Sequence, residues 1–293
     1  MPETSFGNRP SVSADGGFRR VGIVGVGLIG GSLALAVRRV FPGATIIGVD
    51  RDEVTLVARQ LGALHQASGD LSALSGADLI VLAAPVRQNL EALARLDQVC
   101  PGAAVVTDVG STKRATVEAA SRLPARLTFI GGHPLAGAAR GGFDASRADL
   151  FERRPWLLTP DVSTPPEPLA RLTRFLTALG ARCSHVDPVT HDRVLAYTSH
   201  LPQLTATALM DVVGSAVGES GLKLSGSGLA DTTRVAASPA AMWSDICATN
   251  GDQLVPALDR LIERLQDLRQ RLADGASVAP VFEAAQRWRA RLD

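Results

Sequence analysis

At 293 residues, with 46% hydrophobic side chains and a net charge of +1, the chain has the length and apolar content for one large or two modest domains with a true core. The near-neutral balance excludes a strong field for nucleic acid or an anionic membrane, and no uninterrupted apolar run is long enough to span a bilayer. Three scattered cysteines, Cys100, Cys183 and Cys247, show neither metal spacing nor a disulfide framework, which suits a reducing, cytoplasmic compartment.

Residues 1–18 are polar and rich in Gly, Ser and Pro. They lack the charged start and apolar middle of a signal peptide and read as a disordered lead-in. Val21–Val24 is then an apolar strand that runs into a glycine turn. Gly25, Gly27 and Gly30 fit G-x-G-x-x-G. The first glycine permits the sharp turn, the second lets backbone touch a pyrophosphate, and the third lets helix and strand pack closely. The helix that follows offers free N–H groups and a positive dipole end to phosphate. Gly25, Gly27, Leu28, Ile29 and Gly30 are therefore candidate cofactor contacts.

A second strand, Thr45–Val49, ends in Asp50, twenty positions after Gly30. An acidic side chain there holds an adenosine ribose 2′-hydroxyl. A carboxylate repels a 2′-phosphate, so the expected cofactor is NAD. Arg51, a further candidate contact, leaves weaker use of NADP open. A helix follows from Asp52 to Leu61. Strand Leu79–Ala83 ends in Ala84-Pro85-Val86, a small-residue turn of the kind that meets a dinucleotide at the edge of an open parallel sheet. Strand Ala104–Thr107 leads into Asp108-Val-Gly-Ser-Thr-Lys113, and strand Leu127–Ile130 into Gly131-Gly-His-Pro-Leu-Ala-Gly137. Strands at Trp156–Thr159 and Cys183–Val186 flank a helix that ends at Leu179. Alternation at this spacing predicts an α/β, Rossmann-like, doubly wound and mostly parallel sheet over residues 19–187.

Asp187-Pro188 punctuates the chain, and residues 188–293 read as an all-helical substrate and dimerisation domain. Residues 189–217 are apolar with few charges, so much of that segment should be buried on several faces. Residues 252–273 carry Leu or Ile at helical spacing among Arg, Asp and Glu, an amphipathic stripe. The stripe could cover only its own core. Together with the apolar segment before it, it also suits a helical core shared by two subunits.

Ser111 and His133 stand at two strand ends facing the cleft expected between these halves. Oxidising an alcohol by hydride transfer needs a base for the hydroxyl proton. Histidine suits the task because its ordinary pKa, about 6.5, lies near working pH, and a Ser hydroxyl can orient the same oxygen. No His/Cys/acid cluster has metal spacing. His191 and His200 are nine apart, so on an unbroken helix they face opposite sides. His200 is read as structural.

Gly27-Leu-Ile-Gly-Gly-Ser32, Asp108-Val-Gly-Ser-Thr-Lys113, Gly131-Gly-His-Pro-Leu-Ala-Gly137, His191-Asp192, Ser199-His-Leu-Pro202 and Asp231-Thr-Thr-Arg234 occur in this order. Together they resemble the prephenate/arogenate dehydrogenase family of tyrosine biosynthesis over about residues 20–275. The resemblance implies a homodimer with an NAD(P)-binding domain, and oxidative decarboxylation of a cyclohexadienol whose ring becomes a phenol. It implies His133 as the group that accepts the hydroxyl proton and Ser111 as its hydrogen-bonding companion. It also implies Arg234 on a substrate carboxylate, and His191, Ser199, Gln203, Ser238 and Trp243 around the substrate.

Two departures fall where the substrate side chain is expected. Ala138-Ala139-Arg140 stands where many relatives are polar or acidic, and Gln203 where some carry a second histidine. Prephenate is the favoured substrate, with arogenate and ring-amino analogues as alternatives. A β-hydroxy acid or imine dehydrogenase, or a dinucleotide sensor without turnover, are the competing classes. The first of these would be expected to carry a lysine or acid on the helix after residue 189; the stretch offers His191-Asp192 but no lysine before Lys223.

Overall fold

The computed structural model describes residues 17–137 and 141–292. Their contacts define two compact units. The first runs to Asp192 and includes Ala237–Thr249; the second comprises Arg193–Ala236 and the chain from Asn250 onward.

The first unit is built on eight strands in the order β3-β2-β1-β4-β5-β6-β7-β8. These are β1 (Arg20–Val24), β2 (Thr45–Val49), β3 (Gln66–Ser68), β4 (Leu79–Leu82), β5 (Ala104–Asp108), β6 (Leu127–Pro134), β7 (Pro155–Thr159) and β8 (Arg182–His185). All neighbours are parallel except β6 and β7. The doubly wound sheet is therefore as the strand–helix alternation requires. Its strands read as continuous apolar runs because both faces are covered. Along β4, Leu79 and Val81 enter one core with Leu33, Val37 and Phe175. Ile80 and Leu82 enter the other with Leu93, Leu96 and Val106.

Helices α1 (Leu28–Val40), α2 (Asp52–Gln60), α3 (Val86–Val99), α4 (Arg114–Ala120) and α5 (Pro166–Ala178) connect the strands. Two points differ from the sequence reading. The short edge strand β3, QAS, has too little apolar pattern to announce itself. Strand β6 continues past Ile130 to Pro134, pairing Gly132 with Leu158 and His133 with Leu157 of β7. His133 is thus held in a sheet and not on a loop. The helix after Asp108-Val-Gly-Ser-Thr-Lys is seven residues long.

Beyond β8 the chain is helical: α6 (Pro188–Leu195), α7 (Leu201–Leu222), α8 (Ser227–Thr233), α9 (Ala240–Ala273) and α10 (Ala279–Arg289). A π-helical turn at Ala196–His200 joins α6 to α7. Helix α9 is interrupted at Asn250, whose backbone is non-helical (φ −131°, ψ 19°). The expected burial of residues 189–217 is not met on one chain. In α7 only Gln203 and Ala206 are buried, while Val212 is 65% exposed. On α9 and α10 Leu265, Leu272, Phe282 and Trp288 are also exposed. Low charge along a helix signals burial somewhere, but does not say whether the covering surface belongs to the same chain. No described helix is long and apolar enough to cross a membrane.

Candidate active site

The glycine turn is shaped by close approach. Gly25 has φ +89°, a conformation that disfavours side chains. A Cβ on Gly30 would lie 1.9 Å from the Gly25 carbonyl oxygen, so a residue larger than glycine cannot sit there unchanged. Gly27 precedes the first turn of α1 and has open space beyond its Cα. Backbone can thus meet a pyrophosphate there, and the residues present fit a dinucleotide.

Asp50 follows β2. Its Oδ2 accepts a hydrogen bond from Val26 N (2.7 Å) and its Oδ1 one from Arg51 N (2.7 Å). It ties the tip of β2 to the glycine turn, and each carboxylate oxygen retains acceptor capacity for a ribose hydroxyl. Arg51 is exposed at the start of α2. At the end of β4, Asn89 grips the Ala84 turn: its Oδ1 accepts from Ala84 N (3.1 Å), and its Nδ2 donates to Ala84 O (2.9 Å). The pattern of apolar residues gave no hint of this buried amide.

A cavity of about 470 Å³ opens at the C-terminal ends of these strands, within the range of small-molecule sites. Its walls bring together Leu28 and Ile29, the Ala84-Pro85-Val86 turn, Ser111, His133 and Ser238. Met242, Asp245 and Ile246 of α9 complete one side. Asp245 pairs loosely with Arg87, 3.8 Å away. Asp245 and Met242 carried no motif in the sequence. Trp243, on the same helix, is half-buried and is not among the cavity walls.

Behind the cavity lies a buried polar framework. Asp108, at the end of β5, accepts from Gly110 N (2.9 Å) on Oδ2 and from Gly132 N (3.0 Å) on Oδ1. Lys113 is fully buried, forms an ion pair with Asp108 and donates to Gly132 O at 2.7 Å. Both backbone groups of Gly132, the neighbour of His133, are thereby fixed. Burial pulls the Lys113 pKa below the ordinary lysine value; the Asp108 charge and hydrogen bond, and the Asp192 charge, oppose it.

His191, expected to line the substrate pocket, is instead 1% exposed with both ring nitrogens engaged. Its Nε2 lies 2.9 Å from His133 Nδ1, and its Nδ1 lies 2.8 Å from Asp192 Oδ1. Asp192 also accepts from Lys113 N (2.7 Å) and Arg114 N (3.0 Å), capping α4, and from Arg114 Nε (3.2 Å). Burial works against its carboxylate, but the hydrogen bonds from His191, Arg114 and Lys113 outweigh it. Its pKa falls below the ordinary carboxylate value. The adjacency of His191 and Asp192 in sequence was visible; their convergence on β6 and α4 was not.

In the second unit, Ser199 is exposed in the π-helical turn. His200 is buried, with Nδ1 3.2 Å from Asn250 Nδ2, in line with a structural role. Gln203 is buried and donates to Val235 O at 2.8 Å. It tethers the short helical turn Arg234–Ala237, in which Arg234 is exposed. The departure at Ala138-Ala139-Arg140, like residues 1–16 of the lead-in, lies outside the described residues.

A glycine turn at a parallel sheet's switch point, an acid at the tip of β2 and an imidazole on the cavity wall define a dinucleotide-dependent oxidoreductase. Comparison with known proteins narrows the class. Residues 33–185 match the profile of the prephenate dehydrogenase nucleotide-binding domain, and residues 187–279 that of the prephenate dehydrogenase dimerization domain. The chain belongs to the prephenate dehydrogenase family. It is 34% identical to prephenate dehydrogenase of Bacillus subtilis over 91% of this chain and 74% of that one. It is also 34% identical to cyclohexadienyl dehydrogenase of Zymomonas mobilis, over 94% and 96%. A crystal structure of prephenate dehydrogenase from A. aeolicus, in complex with hydroxyphenyl propionate and NAD+, superposes with a TM-score of 0.86 at 30% identity, covering 94% and 98% of the two chains.

Proposed function

We propose that this chain is an NAD-dependent prephenate dehydrogenase, converting prephenate to 4-hydroxyphenylpyruvate and carbon dioxide, and that it works as a homodimer through residues 188–293. The single observation that carries the chemistry is the His133 ring on the cavity wall beside Ser111, Leu28 and the Ala84-Pro85-Val86 turn. Gly25, Gly27, Leu28, Ile29 and Gly30 would receive the pyrophosphate, Asp50 and Arg51 the adenosine end, and Ala84, Pro85 and Val86 the face of the nucleotide. The Asp50 carboxylate supports NAD over NADP. Bound NAD supplies the acceptor for the hydride that leaves the substrate's carbinol carbon.

The remaining work falls to the protein. His133 accepts the hydroxyl proton as the carbinol carbon is oxidised, a role worth about 10²–10⁴ in rate. Ser111 orients the reacting oxygen. The carboxylate on the opposite ring carbon leaves as carbon dioxide, its bonding pair completes the aromatic ring, and the former carbonyl oxygen takes the proton back from His133 to become the phenol hydroxyl. Arg234 pairs with a substrate carboxylate, for which its planar fork is suited; Ser199, Gln203, Ser238 and Trp243 contribute to the surroundings. The exposed apolar side chains on α7, α9 and α10 support a second copy as their cover. Division of the chain into residues 19–187 and 188–293 belongs to the same reading. So does a cytoplasmic location, which three free thiols suit.

Arogenate is the second reading, supported by 33% identity to the Synechocystis arogenate dehydrogenase at a TM-score of 0.78. Incubation with NAD and either prephenate or arogenate, followed by absorbance of the reduced cofactor, separates the two. His133→Asn is expected to keep NAD binding and to lose at least about 10²-fold in kcat. Near-normal turnover in that variant would remove His133 as the base.

A further inference from the structure

We infer that Asp192 and His191 are positioning residues that fix the tautomer of His133, and that Asp192 does so while holding the turn that carries Ser111. The inference rests on the proposed role of His133 and extends it to two residues that do not reach the cavity. Asp192, His191 and His133 are 0%, 1% and 8% exposed. They form one line: Asp192 Oδ1 to His191 Nδ1 at 2.8 Å, and His191 Nε2 to His133 Nδ1 at 2.9 Å.

The direction of the line follows from what each atom can do. An ionised carboxylate only accepts, so His191 Nδ1 must carry a proton. A neutral His191 then has an acceptor at Nε2, and His133 Nδ1 must be the donor. The proton of a neutral His133 is therefore on Nδ1, and Nε2 carries the lone pair that a base requires. In the opposite tautomer the ring could not take up the hydroxyl proton at Nε2. This is the logic by which a buried aspartate orients a catalytic imidazole in hydrolytic triads, with a second imidazole interposed.

Asp192 has a second task. Its carboxylate accepts from Lys113 N and Arg114 N, the residues that close the Ser111-Thr-Lys turn and open α4. One side chain from α6 thus registers the end of β5 against the end of β6. The two groups expected to share the reacting oxygen stand on those two ends. Charges facing this line are the Arg114 guanidinium from α4 and the buried Lys113–Asp108 pair behind Gly132; Asp245 of α9 lies across the cavity. The Asp192 charge favours an imidazolium at the far end of the line, and Arg114 and Lys113 temper it.

The test uses the full-length protein saturated with NAD. Histidine-15N NMR reads the His133 tautomer, assigned by its loss in His133→Asn. Steady-state kinetics read kcat, KM and the acid limb of the pH profile. The expected native state has Nδ1 protonated and Nε2 unprotonated. Asp192→Asn is expected to mix the tautomers, lower kcat about 10–100-fold with little change in either KM, and move the acid limb to lower pH. Asp192→Glu is expected to recover part of the loss. Should Asp192→Asn fail to fold, His191→Asn leaves Asp192 its backbone donors and decides on the same readouts. A His133 that keeps its tautomer and native kcat in a folded Asp192→Asn or His191→Asn overturns the inference, as does a native ring protonated at Nε2. The NMR readout needs no substrate, so failure of prephenate to react would refute the proposed function and leave this result standing.

Discussion

Lys113→Met tests how firmly the strand end carrying His133 is held. In the native protein the Asp108 carboxylate is fully buried and receives two backbone N–H groups, from Gly110 and Gly132, besides the Lys113 ammonium. Methionine fills a similar volume but leaves the carboxylate without its countercharge. Breaking a buried pair in this way costs about 3–5 kcal/mol. For a unit of this size each kcal/mol lowers Tm by roughly 2–4 °C, so the expected drop is about 6–20 °C. The double variant Lys113→Met/Asp108→Asn removes both charges. The amide introduced by Asp108→Asn can satisfy one of the two N–H groups with its carbonyl and leaves the other short, at about 1–3 kcal/mol. The double variant should therefore be more stable than Lys113→Met alone. Thermal unfolding followed by circular dichroism, at fixed NAD concentration, measures the native protein and its single and double variants. A Lys113→Met protein within about 1 kcal/mol of native, or a double variant whose loss equals the sum of the singles, would refute the reasoning.

The added methyl of Gly30→Ala meets the Gly25 carbonyl at 1.9 Å, so the turn must open; isothermal titration should find NAD binding lost or weakened at least tenfold, about 1.4 kcal/mol. Arg234→Ala is expected to raise KM for the anionic substrate about tenfold or more while leaving KM for NAD near native. An unchanged KM takes Arg234 out of the substrate's reach. The Asp192 pKa is depressed in the folded protein, so its contribution to stability is present above the unfolded value and is lost as pH falls below about 4. Acid unfolding of Asp192→Asn should lack that component.

Much of the first unit was legible because its signals are local. Strands β1, β2, β4 and β5 are runs of branched apolar residues closed by Gly, Pro or Asp, and a buried parallel strand needs no alternation to show itself. The glycine turn is legible for a related reason. Contacts such as that between Gly30 and the Gly25 carbonyl are made within six residues, so spacing alone encodes them. His133 and Ser111 stood out because each closes a strand of the same sheet. Strand β3 did not, since its three residues carry no pattern. The extension of β6 did not either, because Gly131 and Gly132 read as a turn until β7 supplies hydrogen-bonding partners.

Sequence by itself determined the doubly wound sheet, the dinucleotide cradle and the candidate base, all of which depend on residues close together along the chain. Tertiary structure alone decided what stands behind that base. His191 belongs to a segment 58 positions away from His133, and nothing in its spacing tells a pocket wall from a buried brace. The distinction depends on which polar groups are left without water when α6 packs against the ends of β5 and β6. There the burial of Asp192 requires donors, and His191, Lys113 and Arg114 supply them.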